Sequence, residues 1–323
     1  MKDFLRRVDL ADSLEEIIED VTSKAKIGKV ISWEPIKEGY EELNIKVKTH
    51  KGFYVIKIFS KGKKYATIRG NIEGLINFSK ARIPVPKLIP IGNHFLYKTR
   101  GKKGDTYICV MEFFNGMNFQ EIGPTKKDIV VITKELAKIH MLPFRIHKNY
   151  DSWGTANLLA EFEYKKKYLN KKDLSLLKPI VDDFRKIDFN GLRKSIIHGD
   201  WQRKHVLKNS EGGYCILDLG VMDFNCRVID LAIFLALFCF DAKSEKNNNI
   251  FRMVIEQYEK TNKLSTREIK VLPFLIKATY AIYLLGSNYL IFCGDKSRQT
   301  REWLDFGRRG IKTANIGNYL VPG

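Results

Sequence analysis

Hydrophobic and polar positions change their spacing along the chain, and each change predicts a different kind of element. A capping-box pair, Ser13 and Glu16, precedes apolar residues that share one helical face, which predicts a first helix over 13–25. Further on, apolar positions alternate with polar ones, and a turn at 51–52 separates two such runs. This pattern predicts a β-hairpin, preceded by a strand near 30–33.

Helical spacing returns over 67–80, and Pro84 ends regular structure soon after. Two more strands are predicted over 94–98 and 107–113, and beyond Gly116 the spacing is mainly helical. The helices predicted there cover 127–140, 158–169, 175–187, 228–240, 251–262 and 267–286, with one β-rich insertion over 195–218.

The order of these elements predicts an α+β chain of two lobes. The N-terminal lobe, 1–113, combines a small antiparallel β-sheet with helices, and the larger C-terminal lobe, 114–323, is mainly helical. With 323 residues, 44% of them hydrophobic and 29% charged, the chain has an ordinary globular composition. A disordered or fibrous protein is therefore excluded, and a sizeable hydrophobic core is expected.

Basic residues exceed acidic ones by a wide margin: Lys and Arg number 56, Asp and Glu 37, and the net charge is +19. Such a surplus creates a positive field that attracts phosphates, nucleic acid or anionic lipid. Alternatively, lysine simply occupies solvated surface positions. Because the basic residues form no long basic tail, nucleic acid is not the expected partner. An anionic partner stays open, with the basic stretch 296–312 as one place for it.

The cysteines and the apolar runs indicate the setting of the protein. Five cysteines lie far apart without a CxxC pair, and neither a disulfide framework nor a metal finger fits them, which predicts a reducing cytoplasm. The N-terminal residues soon turn acidic and helical, unlike a signal peptide. The apolar run 231–240 is far shorter than the stretch of about 20 residues that spans a membrane. A second run, 278–293, is interrupted by Gly286, Ser287 and Asn288, so we expect no transmembrane segment.

Chemistry-bearing residues concentrate in the β-rich insertion. Asp200 follows an apolar strand, His205 comes five residues later, and Asp218 ends a second strand. Phosphoryl transfer needs a base that orients the acceptor hydroxyl, and metal ions that neutralise the phosphates. Asp200 fits the base, and His205 and Asp218 fit the metal ligands. Each residue alone is typical of a turn or a cap, but the ordered set favours a phosphotransferase site.

These segments resemble the aminoglycoside phosphotransferase and choline kinase-like superfamily, relatives of the eukaryotic-type protein kinases. Residues 198–200, His-Gly-Asp, are similar to its catalytic-loop signature. Residues 218–220, Asp-Leu-Gly, followed by Asp230, resemble its metal-binding segment, and 135–140 resembles a helix that ends in Ile-His. The resemblance covers nearly the whole chain and implies a two-lobe protein-kinase-like fold.

The resemblance also implies a nucleotide site in the N-terminal lobe. Lys57 would bind the α- and β-phosphates as a point charge, and Glu73 would hold it in place; alternatively, Glu73 is a solvated surface charge. Gly39 would lie in the loop that covers the phosphates, although a hairpin glycine needs no ligand to explain it. The carbonyl of Glu112 and the amide of Phe114 would bind the adenine edge.

One position departs from the pattern: most of the superfamily has asparagine where this chain has His205. Imidazole is a borderline ligand, whereas Mg²⁺ prefers hard oxygen. The run 205–207, His-Val-Leu, nevertheless resembles a variant found in aminoglycoside 2''-phosphotransferases, which remain kinases. The resemblance therefore implies Mg²⁺-dependent transfer of the γ-phosphate of ATP or GTP to a hydroxyl of a small molecule. The alternative is a catalytically silent kinase-like scaffold, such as a spore-coat protein, which His205, the thin glycine loop and the basic surplus favour.

The acceptor-binding segments, 118–188 and 251–323, do not identify the acceptor. A pocket for polycationic aminoglycosides should be acidic, and the net charge of +19 makes such a substrate less attractive. A sugar, an amino alcohol or a homoserine-like compound is equally compatible. Recognition of a quaternary ammonium group would need aromatic and acidic residues that converge in space.

Overall fold

A computed structural model describes residues 5–37, 41–147, 149–240 and 247–314 of the chain. The chain divides into two compact units: Met1–Met117 with Leu207–Gly220, and Asn118–Val206 with Val221–Gly323. The observed division therefore lies after residue 117 rather than after the predicted 113, and 207–220 belongs to the first unit. This segment joins the first unit through its backbone, since the amide of Ile216 donates to the carbonyl of Pro84 at 2.6 Å.

The first unit is built on a six-stranded antiparallel sheet in the order β1-β2-β3-β6-β4, with β5 also paired to β6. Its strands are β1 (Val30–Pro35), β2 (Leu43–Thr49), β3 (Gly52–Ile58), β4 (Leu88–Ile89), β5 (Tyr97–Arg100) and β6 (Asp105–Glu112). The predicted hairpin is present as β2 and β3, with Leu43 opposite Ile58 and Thr49 opposite Gly52.

The core of the first unit lies between this sheet and helix α1 (Leu14–Lys24), which begins with the predicted capping box. Ile17, Ile18 and Val21 of α1 pack in one cluster with Ile56 and Ile58 of β3. Successive side chains of a strand point to opposite faces, so Lys57, between the two isoleucines, projects from the other face of the sheet. The predicted second helix follows as α2 (Tyr65–Lys80).

The second unit is mainly helical, as predicted. Its helices are α3 (Phe119–Ile122), α4 (Lys126–Ile139), α5 (Leu158–Lys165), α6 (Lys171–Arg185), α7 (Arg227–Ile233), α8 (Asn247–Glu259), α9 (Thr266–Phe292) and α10 (Arg298–Thr313). In this unit β8 (Lys194–Ile197) pairs with β11 (Asp223–Cys226). The strands β7 (Met117–Asn118), β9 (Val206–Lys208) and β10 (Tyr214–Ile216) form a small sheet, most of whose residues belong to the first unit.

Helix α9 is longer than predicted, because it continues through Gly286 to Phe292 instead of ending at that glycine. Gly286 serves packing here: a Cβ at this position would lie 2.8 Å from the ring of Trp153. By length and composition α9 could cross a membrane, but 67% of its most apolar window is buried inside the protein, as in a core helix. This is weak evidence for a membrane span.

Candidate active site

The loop that follows β8 carries Asp200, and a buried carboxylate of α7 holds its backbone. Asp230 is fully buried and accepts hydrogen bonds from the amides of His198 (3.0 Å) and Gly199 (2.8 Å). The indole of Trp201 donates to the same carboxylate at 2.9 Å. The two residues before Asp200 and the one after it are thus anchored to one side chain, which fixes the course of the loop.

His140, at the C-terminal cap of α4, completes this network from a distant part of the sequence. Its Nε2 lies 3.0 Å from Asp230, and its Nδ1 lies 2.7 Å from the hydroxyl of Tyr258. Because a carboxylate only accepts, Nε2 carries the proton and Nδ1 accepts from the tyrosine. Burial by itself raises the pKa of Asp230, but the hydrogen bond from His140 and the other donors outweigh burial and lower that pKa below its ordinary value.

Position 199 of this loop accommodates glycine without strain, but no other residue type. Its φ is +85°, a left-handed conformation that favours glycine, and an added Cβ would lie 2.9 Å from the carbonyl oxygen of Val221. His198 packs in the interior, with its ring 4.7 Å from that of Trp201, and its Nδ1 accepts from the amide of Asp200. His198 therefore supports the loop.

Asp200 itself remains accessible, with 22% of its side chain exposed. Gln202 donates to both of its carboxylate oxygens, at 2.8 and 3.1 Å. His205 lies beside it, with Nδ1 3.1 Å from the Asp200 carbonyl and 3.3 Å from its carboxylate. Because the carbonyl accepts, Nδ1 of a neutral ring carries the proton and Nε2 carries the lone pair, as a histidine metal ligand requires.

In the first unit, Lys57 lies against Glu42, the residue that precedes β2. The Lys57 ammonium is 3.4 Å from Oε2 of Glu42, and both side chains are largely buried. Lys63, from the loop after β3, pairs with the other oxygen of the same carboxylate. One carboxylate is thus shared by two ammonium groups.

The charges of this cluster stabilise one another. Burial by itself lowers the pKa of Lys57, but the Glu42 and Asp218 carboxylates outweigh burial and raise that pKa above its ordinary value. Burial raises the pKa of Glu42, but the ammonium groups of Lys57 and Lys63 outweigh it, so this pKa is lowered. Burial also raises the pKa of Cys109, opposite Lys57 on β6, to about 12, so the thiol is neutral near pH 7.

Asp218 follows β10 and adopts an unusual backbone conformation. Its φ is +60°, and its Oδ1 accepts from the amide of Gly220 at 3.2 Å. A non-glycine residue in the left-handed region costs of order 1–2 kcal/mol, and such residues are concentrated at functional sites. The turn therefore fixes the Asp218 carboxylate close enough to raise the pKa of Lys57.

The structure does not bring Glu73 to Lys57. Glu73 is on α2 and pairs at 2.7 Å with Arg69, one helical turn earlier on the same exposed face. It lines a surface groove with Tyr65 and Tyr107. The solvated alternative therefore describes Glu73, and Glu42 is the carboxylate at Lys57. Gly39, the other predicted loop residue, lies outside the described residues.

The predicted adenine-binding segment follows β6. Glu112 is the last residue of that strand, and its exposed carboxylate pairs with Lys87 at 3.0 Å. Phe114 follows two residues later, and Gly116 packs against it so closely that a Cβ would lie 2.6 Å from the Phe114 ring. The contacts of the Glu112 carbonyl and the Phe114 amide with adenine stay a prediction.

Aromatic and acidic residues converge near Asp200 within the second unit. Trp153 and Tyr283 have ring centroids 5.6 Å apart, and Trp303 of α10 lies edge-on to Trp153 at 5.1 Å. The carboxylate of Asp151 accepts from the amide of Trp153 at 3.0 Å. Burial, together with the negative charges of Asp200 and Asp151, raises the pKa of the Tyr283 hydroxyl well above its ordinary value.

Several solved structures of similar architecture are named as kinases or phosphotransferases of small molecules. An amicoumacin kinase in complex with AMP-PNP and Ca²⁺ has a TM-score of 0.70 at 14% identity, over 95% of this chain and 98% of that chain. A spectinomycin phosphotransferase in complex with ADP and spectinomycin has a TM-score of 0.69 at 13% identity, over 96% and 98%. The microcompartment-associated aminopropanol kinase has a TM-score of 0.68 at 12% identity, over 95% and 100%. The predicted kinase-like fold is confirmed.

The family follows from the sequence. A model of the phosphotransferase enzyme family matches residues 32–263, so the chain belongs to this family. It is also similar to homoserine kinases: that of Parvibaculum lavamentivorans is 23% identical over 285 residues, which are 85% of each chain. That of Caulobacter vibrioides is 22% identical over 283 residues, or 85% of this chain and 86% of the relative.

Sequence reasoning did not identify Glu42 or Lys63 as members of the charge cluster. Both looked like ordinary members of charged runs, Glu41-Glu42 and Lys63-Lys64. The available signal was the position of Glu42, directly before a buried strand that pairs with the strand of Lys57. Charged residues at such positions can meet across a hairpin.

Proposed function

We propose that this protein is a Mg²⁺-dependent phosphotransferase that transfers the γ-phosphate of ATP or GTP to a hydroxyl of a small amine-bearing alcohol. The observation that carries the proposal is the Asp200 loop. Buried Asp230 anchors its backbone at several points, while the Asp200 carboxylate is left partly exposed. A catalytic base needs this combination of a rigid position and access to the acceptor.

The roles of the residues follow from their chemistry. Asp200 would accept the proton of the acceptor hydroxyl as that oxygen attacks the γ-phosphorus. The bond from this phosphorus to the β,γ-bridging oxygen breaks, and the nucleoside diphosphate leaves. Lys57 would bind phosphate oxygens of the nucleotide, and the backbone of Glu112 and Phe114 would bind the base. Phosphoryl transfer requires little covalent chemistry from the protein, so positioning and charge carry most of the catalysis.

His205 and Asp218 would hold the metal. The donor set fits Mg²⁺ in part, since the Asp218 carboxylate is a hard oxygen ligand and the imidazole of His205 is a borderline one. The hydrogen bond from Nδ1 of His205 to the Asp200 carbonyl supports a ligand role, because it leaves the lone pair on Nε2. When bound, the metal would neutralise the phosphate charges.

The acceptor class is inferred from the aromatic residues near Asp200. Trp153, Tyr283 and Trp303 pack against one another, and the negative charges of Asp151 and Asp200 act on Tyr283. Aromatic and acidic side chains in one place are suited to recognise an ammonium group. Proteins similar to this chain are named for amine-bearing substrates, among them homoserine and aminopropanol. The described cysteines are all free and most are buried, which supports a cytoplasmic setting for the proposed kinase.

A thermal-shift titration with ATP and with GTP, each with and without Mg²⁺, tests the nucleotide half of the proposal. A ligand that binds the folded state raises its apparent stability by mass action. We expect a Mg²⁺-dependent rise in Tm with one of the two nucleotides. No shift at millimolar concentrations of either would contradict the proposal and favour a silent scaffold.

Comparing each amine-bearing alcohol with a neutral compound of the same shape tests whether the acceptor needs an amino group. We expect homoserine, ethanolamine, 1-amino-2-propanol or choline to be phosphorylated, and a neutral isostere such as 3,3-dimethylbutan-1-ol in place of choline to be a poor substrate. Asp151→Asn should raise KM for the amine and leave that for ATP unchanged. Equal turnover of charged and neutral partners would overturn the acceptor class while leaving the kinase activity intact.

A further inference from the structure

A lysine outside the predicted site shares the Glu42 carboxylate with Lys57. Lys63 lies in the loop between β3 and α2, yet its side chain is only 9% exposed. Its ammonium pairs with Oε1 of Glu42, and the exposed carboxylate of Glu41 lies 3.3 Å away. Oε2 of Glu42 lies 3.4 Å from the ammonium of Lys57. Two positive charges therefore flank one buried negative charge.

The Lys63 ammonium also lies at the turn that carries Asp218. A Cβ placed on Gly220 would be 3.4 Å from Nζ of Lys63 and 2.9 Å from Oδ1 of Asp218. Lys57 reaches Glu42 from β3, and Lys63 reaches the same carboxylate from the following loop. Two segments of the chain thus direct ammonium groups to one small region of the first unit.

Two buried lysines on one carboxylate cost free energy of folding, and a bound anionic ligand would offset that cost. Burying a lysine side chain removes its charge from water and restricts a flexible stem. The carboxylates of Glu42, Glu41 and Asp218 offset the loss of hydration, and the two ammonium groups still repel each other across Glu42. An ammonium group is the point charge with which proteins bind phosphate. A nucleoside triphosphate presents several anionic oxygens in a row, which one lysine cannot contact alone.

We propose, on the basis of the function proposed above, that Lys63 is a second phosphate-binding residue and that Glu42 positions both lysines toward the nucleotide phosphates. The two oxygens of Glu42 hold one ammonium each, which sets the spacing between the two cations. Glu42 thus takes the place that the sequence had suggested for Glu73.

Isothermal titration of the full-length protein with ATP and with adenosine tests Lys63. We expect Lys63→Met to weaken ATP binding about 10-fold or more, as for the loss of a charge-assisted hydrogen bond, and to leave adenosine binding unchanged. Lys64→Met is the matched control, because Lys64 is the next residue, is exposed and makes no side-chain cap bond. It should bind both ligands like the wild type.

Two outcomes would overturn the proposal: ATP affinity equal to that of the Lys64 variant, or tighter ATP binding, which would identify the ion pair as an obstacle to the nucleotide. Lys63→Arg keeps the charge and should retain most of the ATP affinity, which separates charge from packing if the methionine variant folds poorly. Loss of rescue by arginine would also contradict a phosphate role. A wild-type protein that binds neither ATP nor GTP would instead contradict the proposed function itself.

Glu42→Gln tests the positioning role. The amide keeps the shape of the side chain but lacks the charge that holds both lysines, so we expect weaker ATP binding with unchanged adenosine binding. Glu42→Asp keeps the charge and should restore part of the affinity. Equal affinity for ATP in wild type and Glu42→Gln would refute the positioning role.

Discussion

Two buried carboxylates, Asp230 in the second unit and Glu42 in the first, are held in opposite ways. Asp230 accepts from two backbone amides, an indole and an imidazole, and it organises the loop on which Asp200 lies. Glu42 is held by two lysines, Lys57 and Lys63. Donors from the backbone and from two rings build a fixed structure around Asp230. Two flexible ammonium groups lie against Glu42 instead, and the carboxylates of Glu41 and Asp218 are close to them.

A second buried ion pair strengthens the comparison. Arg227 of α7 donates two hydrogen bonds to Glu268, at 2.7 and 2.9 Å. It donates two more, to the side chain of Asn262 and to the carbonyl of Lys263. One cation here faces one anion, both buried. The ion pair in the second unit joins one cation to one anion. In the first unit two ammonium groups share Glu42, with Glu41 3.3 Å from Lys63 and Asp218 close to Lys57.

The largest expected effect is on kcat, when Asp200, whose loop Asp230 anchors, is changed. Asp200→Asn should lower kcat about 10²–10⁴-fold, because the amide cannot accept the hydroxyl proton. ATP affinity and the free energy of unfolding should stay close to those of wild type, since Asp200 is partly exposed. Steady-state kinetics, titration with ATP and urea unfolding measure the three quantities. Activity at the wild-type level would contradict the role of Asp200.

Removing the charge of Asp230 should act on stability. Asp230→Asn places an amide among donors that need an acceptor, so we expect the free energy of unfolding to fall by about 3 kcal/mol. Asp183→Asn is the control: Asp183 is exposed and pairs with Lys186 on the surface, so the change should be below about 1 kcal/mol. Urea unfolding compares them. Similar stabilities for the two variants would mean that Asp230 does not organise the loop.

The affinity for ATP distinguishes the two candidate partners of Lys57, Glu42 and Glu73. Glu42→Gln should weaken ATP binding about 10-fold, because Lys57 loses the charge that holds it, and Glu73→Gln should leave it unchanged. Titration calorimetry with ATP measures both. The reverse order would restore the partner that the sequence suggested and would show that the ion pair between Arg69 and Glu73 breaks when nucleotide binds.

The smallest expected effect is a dependence on pH of the stability that Asp230 contributes. The pKa of Asp230 is lowered in the folded state, so its contribution is fully present above the unfolded value, about 3.9, and is lost as the pH falls through the folded value. The gap in unfolding free energy between wild type and Asp230→Asn should therefore be constant near neutral pH and shrink below pH about 4. A constant gap down to pH 3 would contradict this.

Local patterns predicted much of the fold. The β2–β3 hairpin, the capping box of α1 and the helical second unit follow from spacing, which sets what each segment buries. The ends of elements were less predictable. Helix α9 runs past Gly286 because Trp153 packs on that glycine, a contact between residues distant in sequence.

The candidate site was predictable only where one short segment contains the chemistry. Asp200 and His205 are close in sequence, and they also lie close in space. Glu42 and Glu73 are both plausible partners for Lys57 in sequence, and only strand pairing and helix orientation distinguish them. The aromatic residues near Asp200 come from three separate segments, so their convergence could not be predicted from spacing.

The most direct test of the account is transfer of ³²P from γ-labelled nucleotide, ATP or GTP, to amine-bearing alcohols in the presence of Mg²⁺. We predict labelled product with the wild-type protein and at least one acceptor of this class. EDTA should abolish it, and Asp200→Asn should still bind nucleotide but form almost no product. Nucleotide binding by the wild type without transfer to any hydroxyl acceptor, or equal product from the Asp200 variant, would contradict the account.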